Sequence, residues 1–442
     1  MTNVPRAKAS STSSKTRSAP DVSGEGHPSK TGSSKENALS AYRRGDPNAL
    51  TLLERVLRDS PNDGELLVNY AAAAAASGAT DPFSRIESIL VQSPDWIDGQ
   101  KALARLKTEF GLAKPLNTLE QAIELLPDHP GLWIAYIGLL GAGDQHEMAA
   151  EKVAGLRKRI GDLPALRLLE ARHSGFAGQC DHAQMLLEGL PENIPELHYE
   201  LARNSLRLGR LDQAAEALDA GLSKNPNDVG MLALAELCWR ATKSVSHRWL
   251  LPDDLLVVQV PLNLGETQLD NLALAIAALH TTHSAPLGQS LVGGTQTRGD
   301  LRWRQEPEIV DLFAALEGEL RTYASRLHSL DEKHPLKPLA SRAPRITASW
   351  SILLESEGFH VSHLHNSGLI SSALHLQVPK NLADGEGMLE LGRPPSDIPL
   401  SIGPFAQFRP LPGHLVLFPS FVYHGTSKFH EGPRLTVAFD AA

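Results

Sequence analysis

Between residues 36 and 243, apolar positions recur three and four apart in a background of Ala and Leu with few β-branched residues. That spacing predicts helices packed through one face. Proline punctuates the pattern. Pro61 (DSPND), Pro94 (QSPDW) and Pro127 (LLPDH) are each 33 residues apart, and Pro226 (KNPND) lies 99 residues, three more periods, beyond Pro127. The two boundaries without a matching proline fall near residues 161–164 (GDLP) and 190–195 (LPENIP), both turn-like. Each unit reads as a helical hairpin closed by Pro, which lacks an N–H and clashes with the preceding turn. In the unit ending at Pro226, Gly209 separates two helices. Leu211, Ala214 and Leu218 form the packing face of the second helix, with Gly221 where close approach needs a small residue.

The helical period ends between residues 243 and 254, and a new domain is expected to start near Trp249. Residues 255–262 (LLVVQVPL) read as a strand, 269–280 as a helix, 288–301 as a Gly/Thr/Gln loop and 307–327 as an amphipathic helix. Further strands are expected at 346–354, 360–365, 369–378, 388–391, 414–418 and 434–439, separated by Gly, Pro, Asp and Asn. Helices followed by short strands predict a β-sandwich or barrel with helices on one face.

Composition narrows the function. At 442 residues, two or three domains are expected. A net charge of −9 argues against nucleic acid as a partner, because phosphate binding needs a basic footprint. Cys180 and Cys238 cannot build a disulfide framework or a zinc–thiolate site. With no signal-peptide core and no membrane-spanning run, a cytoplasmic protein is the expectation. Residues 1–36, rich in Ser, Thr, Lys and Gly, read as a disordered tail, since they cannot bury enough surface to offset ordering entropy.

Two stretches carry candidate chemistry, GFHVSHLHNSGLISSALHLQVP from residue 358 and FPSFVYHGTSKFHEGPRLTVAFD from residue 418. In an extended segment His363 and His365 face one side, whereas His360 has the opposite parity and is expected to face away. His424 and, ten residues later, Arg434 come from the second stretch. Along the last strand Arg434 and Thr436 share the face opposite Leu435, Val437 and Phe439. An inward guanidinium is costly without an anion and matches a carboxylate through two parallel hydrogen bonds. Asp440 shares that face but lies six residues, about 20 Å, along the strand and is placed outside the site. Gln296 and Thr297 are candidates for substrate or co-substrate contacts, His375 for pocket lining, and Trp350 for the core.

These residues carry two resemblances. The unit ending at Pro226 resembles a tetratricopeptide (TPR) repeat in its turn Gly, its A-x3-large pair and its closing Pro, and the period extends this to about six repeats. Residues 255–442 resemble the 2-oxoglutarate- and Fe(II)-dependent oxygenase domains found in bacterial proteins with N-terminal TPR arrays. PLGQSLVGGTQT, SWSILLESEGFHVSHLHNSGLISSALHLQVP and PLPGHLVLFPSFVYHGTSKFHEGPRLTVAFD carry it. The resemblance implies a multi-domain chain: tail 1–36, TPR-like superhelix 37–245, and at 250–442 a double-stranded β-helix (jelly-roll or cupin-like) domain with flanking helices. It implies Fe(II) held by His363, His365 and His424, and 2-oxoglutarate bound by Arg434 with Thr436. O₂ would then hydroxylate a protein, peptide or small-molecule substrate, with a protein or peptide partner on the concave TPR surface. The wider superfamily's H-x-D/E pair reads H-x-H here, as it does in the subgroup that this domain resembles. Three neutral imidazoles leave Fe(II) at +2, which dianionic 2-oxoglutarate neutralises, but they suit zinc equally. A TPR scaffold with a catalytically weak or non-redox metal site, and a three-His dioxygenase needing no oxoacid, are the alternatives.

Overall fold

The computed structural model describes residues 30–252 and 255–442. The first helix starts at Lys30, inside the stretch expected to be a tail, and the remainder of that tail lies outside the described residues. Six helical hairpins follow, pairing Lys30–Arg44 with Ala49–Asp59, Gly64–Ala76 with Ser84–Gln92, and Ile97–Glu109 with Asn117–Leu125. The next three pair Pro130–Ala142 with His146–Ile160, Pro164–Phe176 with Cys180–Leu187, and Leu197–Arg207 with Leu211–Lys224. Helices Val229–Ala241 and Ser246–Leu250 close the array.

The repeat has a backbone signature that the proline spacing only approximates. The turn inside each hairpin has a left-handed residue just after its first helix, Gly45, Gly78, Gly111, Asp144, Gly178 and Gly209, with φ between 56° and 80°, and the third turn adds a second at Lys114 (φ 53°). Asp144 occupies the position with a side chain that tolerates this region. In the two PND motifs, Pro follows the end of one helix and Asp caps the next. Asp63 accepts from Leu66 N and Asp228 from Met231 N. Gly221 sits where an added Cβ would meet Met231 and His198, so the expected close approach is present.

The C-terminal part is two antiparallel sheets, not a closed barrel. The strands are β1 (Val258–Pro261), β2 (Leu291–Gln296), β3 (Ile346–His360), β4 (Ile370–Gln377), β5 (Leu389–Leu391), β6 (Ala406–Phe408), β7 (His414–Pro419), β8 (His424–Thr426) and β9 (Arg434–Ala441). The larger sheet has the order β1-β7-β4-β9-β3-β2, and the smaller β6-β5-β8. Helices Glu266–Ala277 and Pro307–Arg326 flank them.

Two local expectations are corrected. Residues 291–296, read as loop, form edge strand β2, which pairs with β3 from Gln296↔Ile352 to Leu291↔His360 across a bulge. Residues 360–365, read as strand, leave β3 at His360 and continue as a loop. The β3 bulge contains Glu357 in the left-handed region (φ 63°), which resets the alternation before the histidines.

One apolar cluster joins the helical array to the sheets, running from Ala202, Leu206, Leu218 and Leu234 to Leu415, Phe418, Phe421 and Val437. Polar bonds reinforce the junction. Arg203 donates from Nε and Nη2 to Asp397 (3.0 and 2.9 Å), and Arg207 Nε donates to the same carboxylate at 2.9 Å. Arg298 pairs with Glu109, and Gly288 N donates to Ala142 O at 2.9 Å. Among the described residues, no helix is long and apolar enough to cross a membrane.

Candidate metal and co-substrate site

Backbone pairing brings the two His-bearing segments together. His363 N donates to His424 O (2.9 Å) and His424 N to His363 O (3.0 Å), an isolated antiparallel bridge between the loop after β3 and strand β8. The rings follow the backbone. Their centroids are 4.2 Å apart for His363 and His424, 4.8 Å for His365 and His424, and 5.1 Å for His363 and His365. One nitrogen from each of the three lies within 4.8 Å of the others.

The tautomers are set from behind. His363 Nδ1 is 2.9 Å from Val361 O, and His424 Nδ1 is 3.1 Å from Val422 O. A carbonyl only accepts, so each ring carries its proton on Nδ1 and presents a bare Nε2 forward. His365 Nδ1 is 2.8 Å from Asp440 Oδ1, giving the third ring the same orientation. His363 Nε2 and His365 Nε2 then stand 3.2 Å apart, lone pair facing lone pair. A cation between them turns this repulsion into attraction. Burial, helped by neighbouring rings, holds His424 well below the usual imidazole range and His363 down at about 3. His363 and His424 are therefore neutral at ordinary pH, the form that binds a metal.

Arg434 lies in the same cavity on β9, 2% exposed. Its Nη1 donates to Gly387 O at 2.6 Å, Nη2 is 3.5 Å from His375 Nδ1, and Nε has no hydrogen-bond partner. Among the described residues no carboxylate pairs with it. Burial lowers its pKa to about 10, which leaves it charged at neutral pH. Thr436 and Ala438, on the same face of β9, line the cavity with Ile352, Leu354, Leu389 and Trp350. The site thus holds three forward-facing imidazole nitrogens and one buried guanidinium with a free donor. This donor set fits a divalent transition ion with an anionic oxoacid.

Other expected residues divide. Gln296 lines the cavity. Thr297 is buried in backbone pairing, its hydroxyl accepting from Ser351 N at 2.9 Å. His375 is fully buried behind Arg434, with Nδ1 3.4 Å from Thr436 Oγ1 and Nε2 unpartnered. Trp350 meets His365 edge to face at 5.1 Å. His360, expected to face away, lines the cavity instead. Its ring stacks on His363 at 5.6 Å and its Nδ1 is 2.9 Å from Ser290 Oγ. Asp440, placed outside the site, touches it through His365. Its distance from Arg434 along β9 was the wrong measure, because β9 crosses the cavity and its far end lies beside the histidine loop.

Residues 348–440 match the family model described as "Putative 2OG-Fe(II) oxygenase". The chain carries a 2OG-Fe(II) oxygenase domain at its C-terminal end. Members of this family use Fe(II) and 2-oxoglutarate, and the donor set above is compatible with both. A comparison with curated proteins gives no match. Similar solved structures include a Pseudomonas putida prolyl-4-hydroxylase, 17% identical, covering 47% of this chain and 98% of that one at a TM-score of 0.29. HygX from Streptomyces hygroscopicus, with nickel, 2-oxoglutarate and hygromycin B bound, is 13% identical and covers 43% of this chain and 84% of its own at 0.28. A TPR protein of Thermus thermophilus is 21% identical and covers 46% of this chain and 97% of its own at 0.23.

Proposed function

We propose that the protein is a 2-oxoglutarate- and Fe(II)-dependent dioxygenase that hydroxylates a protein or peptide segment. The observation that carries this reading is the joint presence, in one cavity, of three converging Nε2 atoms and the buried guanidinium of Arg434, whose Nε has no partner. His363, His365 and His424 would hold the ion. Arg434 would grip the far carboxylate of 2-oxoglutarate in a two-point bond, with the Thr436 hydroxyl beside it. The bound pair supplies the oxidising chemistry: O₂ and 2-oxoglutarate become succinate and CO₂ as one oxygen atom enters a substrate C–H bond. The chain's own work is to bind and orient. Ile352, Leu354, Leu389 and Ala438 exclude water, and the carbonyls behind His363 and His424 keep their lone pairs aimed inward.

A peptide substrate is favoured by the groove on the helical array. It has a volume of about 990 Å³ and runs along the last hairpins past His198, Tyr199, Lys224 and Asn225, and its wall includes Asn366, the residue after His365. Polar side chains along a groove suit an extended backbone that needs hydrogen bonds along its length.

Anaerobic protein loaded with Fe(II) and 2-oxoglutarate is expected to form succinate on exposure to O₂, and an Arg434→Ala control is not. Equal succinate from both would overturn the reading. Metal binding without decarboxylation in either would favour a scaffold with a non-redox ion.

A further inference from the structure

Resting on the metal site proposed above, we infer that Asp440 is a positioning residue that supplies, one bond removed, the negative charge missing from the ligand set. The wider superfamily's H-x-D/E pair places a carboxylate directly on the ion, and in this chain that place holds His365. The structure puts a carboxylate directly behind it. Asp440 Oδ1 accepts from His365 Nδ1 at 2.8 Å and from Ser371 Oγ at 2.8 Å. Ser371 sits opposite Asp440 in the β4–β9 register, and its hydroxyl is also 2.9 Å from Ser420 Oγ. Gly368, in the histidine loop, packs so closely that an added Cβ would stand 2.8 Å from the Asp440 Cβ. Asp440 is therefore held from two segments, the histidine loop and β4, with Ser420 supporting Ser371.

Its surroundings are unusual for a structural aspartate. Asp440 is 2% exposed, and among the described residues His365 is its only basic neighbour within ion-pair distance. Such a carboxylate is costly to bury unless positive charge reaches it. A metal on His365 Nε2 draws electrons through the ring and makes Nδ1–H a stronger donor. The carboxylate in turn makes Nε2 a stronger ligand. The other two ligands lean on neutral carbonyls, so the three imidazoles are not equivalent. His365 with Asp440 carries the charge that an acidic ligand would have carried. The H-x-H site then keeps the electrostatics of H-x-D/E, with the carboxylate moved from the first ring of neighbours to the strand that also bears Arg434.

The test is Co(II) affinity, by competition against a chelator, together with the visible absorption spectrum of the bound ion, in the full chain without 2-oxoglutarate. Asp440→Asn is expected to weaken Co(II) binding about 10–100-fold and to shift the spectrum. Asp440→Glu is expected to recover part of both. In a His365→Ala background the Asp440→Asn effect is expected to vanish. Ser371→Ala, a milder change, is expected to move affinity in the same direction by less, and it serves where Asp440→Asn fails to fold. Wild-type affinity and spectrum in Asp440→Asn and Ser371→Ala, or an undiminished Asp440→Asn effect without His365, would overturn the inference. Wild-type protein that ignores Co(II), or binds it equally well as His363→Ala, would instead remove the site on which the inference rests.

Discussion

Arg203, in the last helical hairpin, holds Asp397 of the oxygenase domain in a two-point ion pair, Nε to Oδ2 at 3.0 Å and Nη2 to Oδ1 at 2.9 Å. Arg207 donates to the same carboxylate, and Phe176 lies against both guanidinium groups at 4.6 and 4.4 Å. One half-buried carboxylate thus ties two buried cations across the junction, and those cations hold its own pKa low against the opposing effect of desolvation.

Asp397→Ala leaves two guanidinium groups without their anion. Breaking a buried pair in this way costs about 3–5 kcal/mol. Thermal unfolding is expected to begin at lower temperature and to separate into an array step and an oxygenase step. An unchanged single transition would show that the apolar cluster alone holds the junction.

Arg434→Lys keeps the charge and loses the two-point geometry. A charge-assisted hydrogen bond contributes about 1.5–3 kcal/mol, so the KM for 2-oxoglutarate is expected to rise roughly 10- to 150-fold. Co(II) affinity is expected to stay within about twofold of wild type, because Arg434 touches none of the three ligands. Titration of each ligand separately checks both halves.

Asn225→Trp places a bulky ring in the groove, away from the metal cavity. Peptide hydroxylation is expected to fall at least about tenfold, the effect of a lost anchor contact. Substrate-independent succinate formation is expected to persist. Equal loss of both would mean the groove acts on the fold, and loss of neither would remove it from substrate binding.

Buried histidines set an acid limit on stability. Burial pushes His280 and His173 down to about 4, so the unfolded chain binds protons near pH 6.5 that the folded one refuses. Since the unfolded state then holds more protons, stability falls as pH drops from about 6.5 towards 4. His280 is bonded to Thr295 Oγ1 (2.8 Å) and Ser351 Oγ (3.0 Å). His280→Gln keeps hydrogen-bonding capacity without the titration. Its melting temperature is expected to decline less steeply over this range than that of wild type.

The sequence disclosed the chemistry better than the geometry. His363 and His365 could be paired by parity because the loop between them is locally extended. The same rule failed for His360, across the bulge at Glu357, where alternation restarts. Gly293–Gly294 looked like loop because glycine is rare in strands. In the structure, an added Cβ at Gly294 would lie 2.3 Å from Leu353 O, so glycine is there to let β2 approach β3. Strand β8 is three residues long, too short for any alternation to mark it. The repeats were visible through proline, although the constant feature is the left-handed residue at each inner turn, which Asp144 hides from a search for glycine. The contact of Asp440 with the site comes through a loop from another segment, which distance along its own strand does not measure.

The most direct test is a crystal structure of the protein grown anaerobically with Mn(II) and 2-oxoglutarate, with anomalous scattering used to find the ion. The expected result is one peak bonded to the Nε2 atoms of His363, His365 and His424, with the far carboxylate of 2-oxoglutarate on the Arg434 guanidinium. A peak elsewhere, an ion lacking any one of these rings, or an oxoacid turned away from Arg434 would contradict the account.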